Sequence, residues 1–433
     1  MEEHLCDECL KYFQERPVFG RILEGFREKY FSYGKFAGTV VIKNLSEKDR
    51  EDLEGFLGRN YHGKKSAAIS AERFSRALSR SRFGMISGKD LLEIYFQETM
   101  ESRKERKQKE EKRWQEMIRK AQKEVLSGTL AAQWLEEIQG PEGGKEPEEI
   151  WEMLLMGVRI LQKLPAKAQY LPVFAAQVTG NPHAFDDGTR GGRYLEQMIR
   201  WYLKKRGENT EIGNESPVKV FPLLEKQRLF WKAGILKDDV SNYALATGIR
   251  AQKKDGCFHE GMDGFFAEGQ PVQIPLSVID GWESLECPEN RIFIVENPSV
   301  YAMLCGQWKK NCALLCMNGQ PRLSSLLILD LLAKRGTKVW YAGDFDPEGL
   351  LIGQKLKQYY QGEFHYWHMT AEDYEKSKSR EMISPRRLKM LDNIWDEQLA
   401  ETAEMVKKEK IAGYQENIWS VYLEDMLSIS EIF

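Results

Sequence analysis

Ile292-Phe293-Ile294-Val295-Glu296-Asn297-Pro298 and, farther along, Val339-Trp340-Tyr341-Ala342-Gly343-Asp344-Phe345-Asp346-Pro347-Glu348-Gly349 share one form: a short apolar run closed by a carboxylate. Short apolar runs between polar residues read as buried strands, and strands buried on both faces belong to a sheet covered by helices. Two more runs lie nearby, Ala313–Met317 and Phe364–Met369. Between them fall helical stretches. Ser324–Arg335 carries Lys334 and Arg335 in its last turn and Gly336 as its stop, and Leu350–Tyr360 follows the second acidic turn. Apolar strands alternating with helices predict an α/β domain over residues 272–433, with a parallel sheet flanked by helices.

The carboxylates sit where such a sheet binds ligands, at the carboxyl ends of its strands. Asp344 and Asp346 are two apart, so an extended backbone points both the same way. No His or Cys stands beside them. Clustered hard oxygens favour Mg²⁺, with Mn²⁺ as a substitute, over zinc. Glu296, Asp344 and Asp346 are the expected catalytic residues, and Glu348 joins them as a candidate metal ligand. Gly349, opening the next helix, is expected to let phosphate approach backbone N–H groups, and Pro347 suits a first helical turn. A lone D-x-D is shared with phosphatases and glycosyltransferases, and a solvated Asp-rich turn is the plainer alternative. The longer pattern D-x-D-x-x-G after an apolar strand, with a Glu closing an earlier strand, points to a metal site.

The pair IFIVENPSV and VWYAGDFDPEG resembles the Toprim domain of topoisomerases, primases and several nucleases, in the version of the topoisomerase VI A subunit. The resemblance implies a Glu in acid–base chemistry or metal binding at Glu296 and Mg²⁺ on Asp344 and Asp346. Two upstream segments extend it: TGNPHAFDDGTRGGRYL from Thr179 and FWKAGILKDDVSNYALATGI from Phe230. With them the chain is similar to a bacterial family allied to JetD, the nuclease subunit of Wadjet plasmid-defence systems. That likeness implies double-stranded plasmid DNA as substrate, an SMC-type ATPase complex as partner, a homodimer, and DNA-binding modules ahead of the Toprim domain.

Upstream, residues 1–140 read as a mixed, mainly helical arm domain. Thr39-Val40-Val41-Ile42 is its one clear strand, and Ser46 caps a helix through Leu53, Phe56 and Leu57. Residues 101–125, dense in both charge signs, predict a long solvated helix that is either an exposed ion-paired face or an arm on DNA or a partner. Gly140–Glu149 is the expected linker. Residues 150–270 are expected to form a helical, winged-helix-like DNA-binding domain. Trp151, Leu154, Leu155, Val158 and Leu161 keep helical period, Tyr194–Lys205 is a second helix, and residues 221–250 are expected to be mostly helical. Arg193, Arg200, Lys204 and Lys205 are the expected DNA contacts. Asp186 and Asp187 read either as a metal-binding pair or, more simply, as the cap of a helix beginning near Thr189–Arg193.

Among 433 residues the formal net charge is −3, so basic contacts must come from local clusters and not from a basic chain. Seven cysteines, thinly spread, make no disulfide framework. Cys6 and Cys9 with His4 lack a second ligand pair at zinc spacing, and Cys312 and Cys316 are expected in the core. His183 and His259 are isolated and expected to be structural or on the surface. The N-terminal MEEHLCDECLKYF has neither part of a signal peptide, and no stretch reaches membrane-span length, so a cytoplasmic protein without a membrane partner is expected. The leading expectation is a metal-dependent DNA endonuclease. The alternatives are a tyrosyl transesterase like topoisomerase VI or Spo11, for which Tyr194, Tyr202 and Tyr243 sit in no evident nucleophile motif, and a DNA-binding scaffold without catalysis.

Overall fold

The apolar runs pair as strands of one sheet. The computed structural model describes residues 2–140, 146–208, 220–238 and 240–428. Numbered along the chain, its strands are β1 (Thr39–Lys43), β2 (Ser66–Ser70), β3 (Gln169–Tyr170), β4 (Ile235–Leu236), β5 (Tyr243–Thr247), β6 (Arg250–Lys253), β7 (Val272–Pro275), β8 (Trp282–Glu286), β9 (Arg291–Val295), β10 (Ala313–Cys316), β11 (Lys338–Ala342), β12 (Phe364–Tyr366), β13 (Lys378–Met382) and β14 (Ile411–Gly413). The chain divides into two compact units, Met1–Leu154 and Leu155–Phe433.

In the first unit β1 and β2 pair antiparallel, from Thr39 opposite Ser70 to Lys43 opposite Ser66. Strand side chains alternate between faces. Val40 and Ile42 therefore turn into the core, while Val41 stays exposed. Five helices surround the ribbon: Glu2–Gln14, Pro17–Tyr33, Glu47–Leu57, Ala71–Arg80 and Gly88–Phe96. Phe13, Phe19, Phe26 and Phe74 meet at the centre. Ser46 caps as expected, in a box with Asp49. The charged stretch is the helix Arg103–Lys123, whose Trp114, Ile118 and Ala121 are buried. Of the expected linker, residues 141–145 lie outside the described residues.

The second unit holds a six-stranded sheet in the order β12-β11-β9-β10-β5-β7. Strands β12, β11, β9 and β10 run parallel, while β5 pairs antiparallel with both β10 and β7. The sheet is therefore mixed, where a parallel one was expected. The difference arises in residues 221–250. A helix there covers only Pro222–Lys232, and Gly234, at φ +78°, turns the chain into β4 and then β5. Tyr-Ala-Leu-Ala-Thr favours a helix by its alanines, yet packing beside β10 overrides that weak preference. Residues 150–205 hold three helices, Pro147–Lys163, Leu171–Thr179 and Arg190–Lys205, joined by the two-residue β3 and by turns at 164–168 and 180–189.

Every residue of β10 is buried, as are Ile292–Val295 of β9. The helix Leu323–Ala333 is apolar nearly all round and lies in the same core, with Cys312 and Cys316. From β9 the chain passes to β10 on one side, then returns to β11 on the other. That reversal opens a crevice at the carboxyl ends of β9 and β11, the usual ligand position in such sheets. No described helix is long and apolar enough to cross a membrane.

Candidate metal centre

Parallel pairing sets Val295 opposite Ala342, and the Glu296 N–H donates to the Ala342 carbonyl at 3.1 Å. The first carboxylate thus lies level with Gly343 and Asp344. Glu296 Oε2 accepts the Asp344 N–H at 3.3 Å. A Cβ at position 343 would come within 3.1 Å of that oxygen, so glycine permits the approach.

Asp344 and Asp346 are half-buried, and Phe345 between them is fully buried, as an extended backbone requires. Phe345 exchanges both backbone hydrogen bonds with Gly413 of β14, at 2.8 and 3.1 Å. Beyond β14, the Gln415 N–H donates to Asp344 Oδ1 at 3.0 Å, and Gln415 Oε1 accepts the Asn297 N–H at 3.0 Å. One buried glutamine therefore ties the end of β9 to the D-x-D turn. Asn297 Nδ2 donates to Glu416 Oε1 at 2.6 Å, which brings another carboxylate to the rim.

Asp346 does two jobs. It caps the helix Pro347–Tyr359, accepting the Gly349 N–H at 2.8 Å, and its other oxygen accepts from Arg387. Arg387 holds Glu348 in a bidentate pair, Nε donating to Oε1 at 3.0 Å and Nη2 to Oε2 at 2.7 Å. Gly349 differs from expectation. Its N–H is taken by Asp346, and a Cβ there would stand 2.3 Å from the Asp344 carbonyl. Its role is close packing of the helix against the acidic turn, not a cradle for phosphate.

Burial first, then the neighbouring Asp344, pushes Glu296 up to about 8. Burial likewise raises Asp344 to about 6, despite the Gln415 hydrogen bond, and raises Asp346. Burial would raise Glu348 too, but its hydrogen bond to Arg387 holds it below the ordinary value. A crowded group of half-buried carboxylates is neutralised by protons or by a cation. Among the described residues, no three His, Cys, Asp or Glu side chains stand together as a ready metal cage. Arg387 draws Asp346 and Glu348 aside. Glu296 and Asp344, with Asp346 next to them, still offer only hard oxygens. That set fits Mg²⁺, which takes one or two carboxylates and keeps other positions for water and phosphate.

The structure brings Glu296, Asp344 and Asp346 to one crevice. Sequence reasoning missed Arg387, Gln415 and Glu416. The signal for the last two was a third apolar strand, Ile411-Ala412-Gly413, closed by polar residues. For Arg387 no signal was present, because its partner acids lie about 40 residues earlier.

The expected DNA contacts share the helix Arg190–Lys205, capped by Thr189 through the Gly192 N–H at 2.9 Å. Neither aspartate is the cap. Asp187 pairs with Lys226 and Lys237 at 2.8 and 2.6 Å, and Asp186 pairs with His183 at 3.0 Å. Arg200 is held by Glu196 and Glu225 at 3.0 and 3.6 Å. Arg193 donates to the Gly188 carbonyl at 2.8 Å, and Lys205 sits over the Trp201 ring at 5.6 Å. Arg193, Lys204 and Lys205 remain exposed.

Tyr202 is buried and accepts from Arg206 at 2.8 Å. Burial raises the Tyr194 hydroxyl, the opposite of activation. Tyr243 lies on β5 with Arg322 5.0 Å from its ring centre. His259 caps the helix Glu260–Glu268. Cys9 is buried, and its thiol is pushed up to about 12 by burial first and by Cys6 next, which disfavours the thiolate that zinc would need.

Residues 36–251 match the family described as "Protein of unknown function N-terminus (DUF3323)". Residues 272–426, from the first residue of β7, match that described as "Protein of unknown function C-terminus (DUF2399)". No curated protein matches the chain. The chain therefore carries the DUF3323–DUF2399 domain pair.

Proposed function

We propose that this protein is a Mg²⁺-dependent DNA endonuclease of the Toprim type. The observation that carries the reading is the approach of Glu296 to Asp344, with Asp346 two residues on, at the carboxyl ends of β9 and β11. Asp344 and Asp346 would hold the ion, and Mn²⁺ would serve in its place. When bound, such an ion polarises the scissile phosphate and eases deprotonation of the attacking water. Gln415 fixes the orientation of Asp344, and the helix cap fixes that of Asp346. Glu296 lies outside the Arg387 clamp, so it is the carboxylate available to take a proton from water. The JetD-like segments from Thr179 and Phe230 support a finer reading. In it the chain is the cytoplasmic nuclease subunit of an SMC-type anti-plasmid complex and acts as a homodimer on double-stranded DNA.

The test is supercoiled plasmid with Mg²⁺ or Mn²⁺, alone and with the partner complex, denatured with and without protease. Free ends are expected from wild type, with none from folded Asp344→Ala, which should still bind DNA because affinity comes from basic groups elsewhere. Protein-linked ends would point to a tyrosine instead. Wild-type cutting by Asp344→Ala would remove the site assignment.

A further inference from the structure

The first unit carries a cleft of about 540 Å³ whose lining includes five arginines and no acidic residue. Arg73, Arg76 and Arg80 lie on the helix Ala71–Arg80, three and four residues apart, and so share one face. Arg59 follows the end of the helix Glu47–Leu57, and Arg82 follows Arg80 across Ser81. Tyr12, Phe56 and Phe83 also line it. Arg76 and Arg82 have acidic partners outside the lining, Glu72 at 2.9 Å and Glu8 at 3.5 Å. Arg59, Arg73 and Arg80 have no ion-pair partner among the described residues.

Two helices end at this cleft, and their carbonyl ends contribute about half a negative charge each. Three guanidinium groups without an ion-pair partner among the described residues outweigh that. Clustered like charges without counter-charges repel, so the arrangement is relieved by an anion. The guanidinium fork suits phosphate, which it binds through paired N–H donors.

We infer that this cleft of the first unit is a nucleic-acid contact in its own right, binding consecutive phosphates of a DNA strand. The arginines spread along a helix instead of converging on one point, which favours an extended polyanion over a single nucleotide. Arg73 to Arg80 spans about 10 Å of helix, the axial length of about three phosphates of one strand. The inference rests on the DNA-directed reading above only for the identity of the polyanion.

The experiment is fluorescence anisotropy of the full chain with a labelled duplex, in EDTA so that no cutting occurs, between about 50 and 200 mM salt. Arg59→Gln/Arg80→Gln changes two exposed side chains and should keep the wild-type melting curve. It is expected to weaken binding at least tenfold at the lowest salt. The slope of log K against log salt should flatten by about 1.8, since each phosphate no longer neutralised removes about 0.9. Arg59→Lys/Arg80→Lys should recover most of the slope, and Arg73→Gln should act in the same direction. Poly-glutamate at matched charge should compete poorly. Unchanged affinity and slope in the double variant, or no DNA binding by wild type, overturns the inference. Displacement by poly-glutamate as effective as by DNA also overturns it and assigns the cleft to an acidic protein partner. A protein that loses binding in this variant yet never cuts DNA removes only the nuclease reading. One that cuts, with the variant's slope unchanged, removes only the cleft.

Discussion

Arg387→Gln is expected to lower stability and strengthen metal binding at once. The guanidinium donates to Glu348 at 3.0, 3.0 and 2.7 Å and to Asp346, with 33% of its side chain exposed. A charge-assisted hydrogen bond contributes about 1.5–3 kcal/mol where water is excluded. Exposed ion pairs contribute about 0–1 kcal/mol. This partly exposed clamp falls between the two, so its removal is expected to cost about 1–2 kcal/mol. In a unit of this size that lowers the melting midpoint by about 2–5 °C.

The metal term has the opposite sign. Two unit charges about 4 Å apart interact by about 4 kcal/mol at the effective dielectric near a protein surface. Arg387 is partly exposed and can swing toward water, so only about 0.7–1.4 kcal/mol of that repulsion is expected to act against a bound cation, or about 3–10-fold in Kd. Calorimetric titration of Mg²⁺ into wild type and variant measures it directly. Saturating Mg²⁺ should then raise the variant's melting midpoint more than that of wild type. Equal or weaker Mg²⁺ affinity in Arg387→Gln would mean that the arginine does not compete for Asp346 and is only a strut.

Gly349→Ala places a methyl group 2.3 Å from the Asp344 carbonyl. It should destabilise the protein by about 1–3 kcal/mol through overpacking, seen in urea titration, and weaken Mg²⁺ binding several-fold; wild-type affinity would place the acidic turn outside the metal site. Arg228→Met breaks the ion pair with Asp330 at 2.7 Å and the hydrogen bond to Tyr359, and should cost about 1–2 kcal/mol in chemical denaturation, because the partly exposed Asp330 loses its counter-charge and keeps the Tyr359 hydroxyl at 2.6 Å. Asp330→Asn/Arg228→Met should recover part of that loss. His368 is raised by its hydrogen bond to Asp373, with burial opposing and Asp425 assisting; burial alone would raise Asp373, but His368 and Thr370 hold it at about 2. The His368 contribution is thus complete below its unfolded value of about 6.5 and lost as pH rises through the higher folded value, whereas that of Asp373 is complete above about 4 and lost as pH falls toward 2. The stability gap between wild type and His368→Gln should be widest at about pH 4–6.5 and narrow above it; a gap that is flat from acid to alkaline pH would contradict the pairing.

The acidic crevice was legible because strand burial and chemistry leave marks in adjacent residues. Ile292–Val295 and Val339–Ala342 are apolar for packing, and the first residues past each packed run are free to be Glu296 or Asp344. β5 was not legible in that way. Its alternation is between alanine and larger residues, and its place is fixed by β10 and β7, partners distant in sequence. Helix caps fell between these cases. Ser46 was read correctly, whereas Thr189 was passed over for two aspartates whose charges are used by His183, Lys226 and Lys237.

The same contrast explains why the clamp and brace of the centre escaped sequence reading. Arg387 lies on the four-residue helix Pro385–Leu388 and Gln415 opens a single helical turn past β14, elements too short for a periodic pattern to announce their contacts. Gln415 is fully buried, and its side chain and backbone together reach Asn297 and Asp344. A shorter Asn at 415 would keep the backbone bond to Asp344 and lose the side-chain bond to Asn297. The strand ends would then be joined by the Glu296–Asp344 hydrogen bond, the β9–β11 ladder and, at the rim, the Asn297–Glu416 bond. Whatever ligand the crevice holds, its carboxylates owe their spacing to that glutamine as well as to the sheet. A position that looks like ordinary loop polarity in the sequence is therefore part of the centre's geometry.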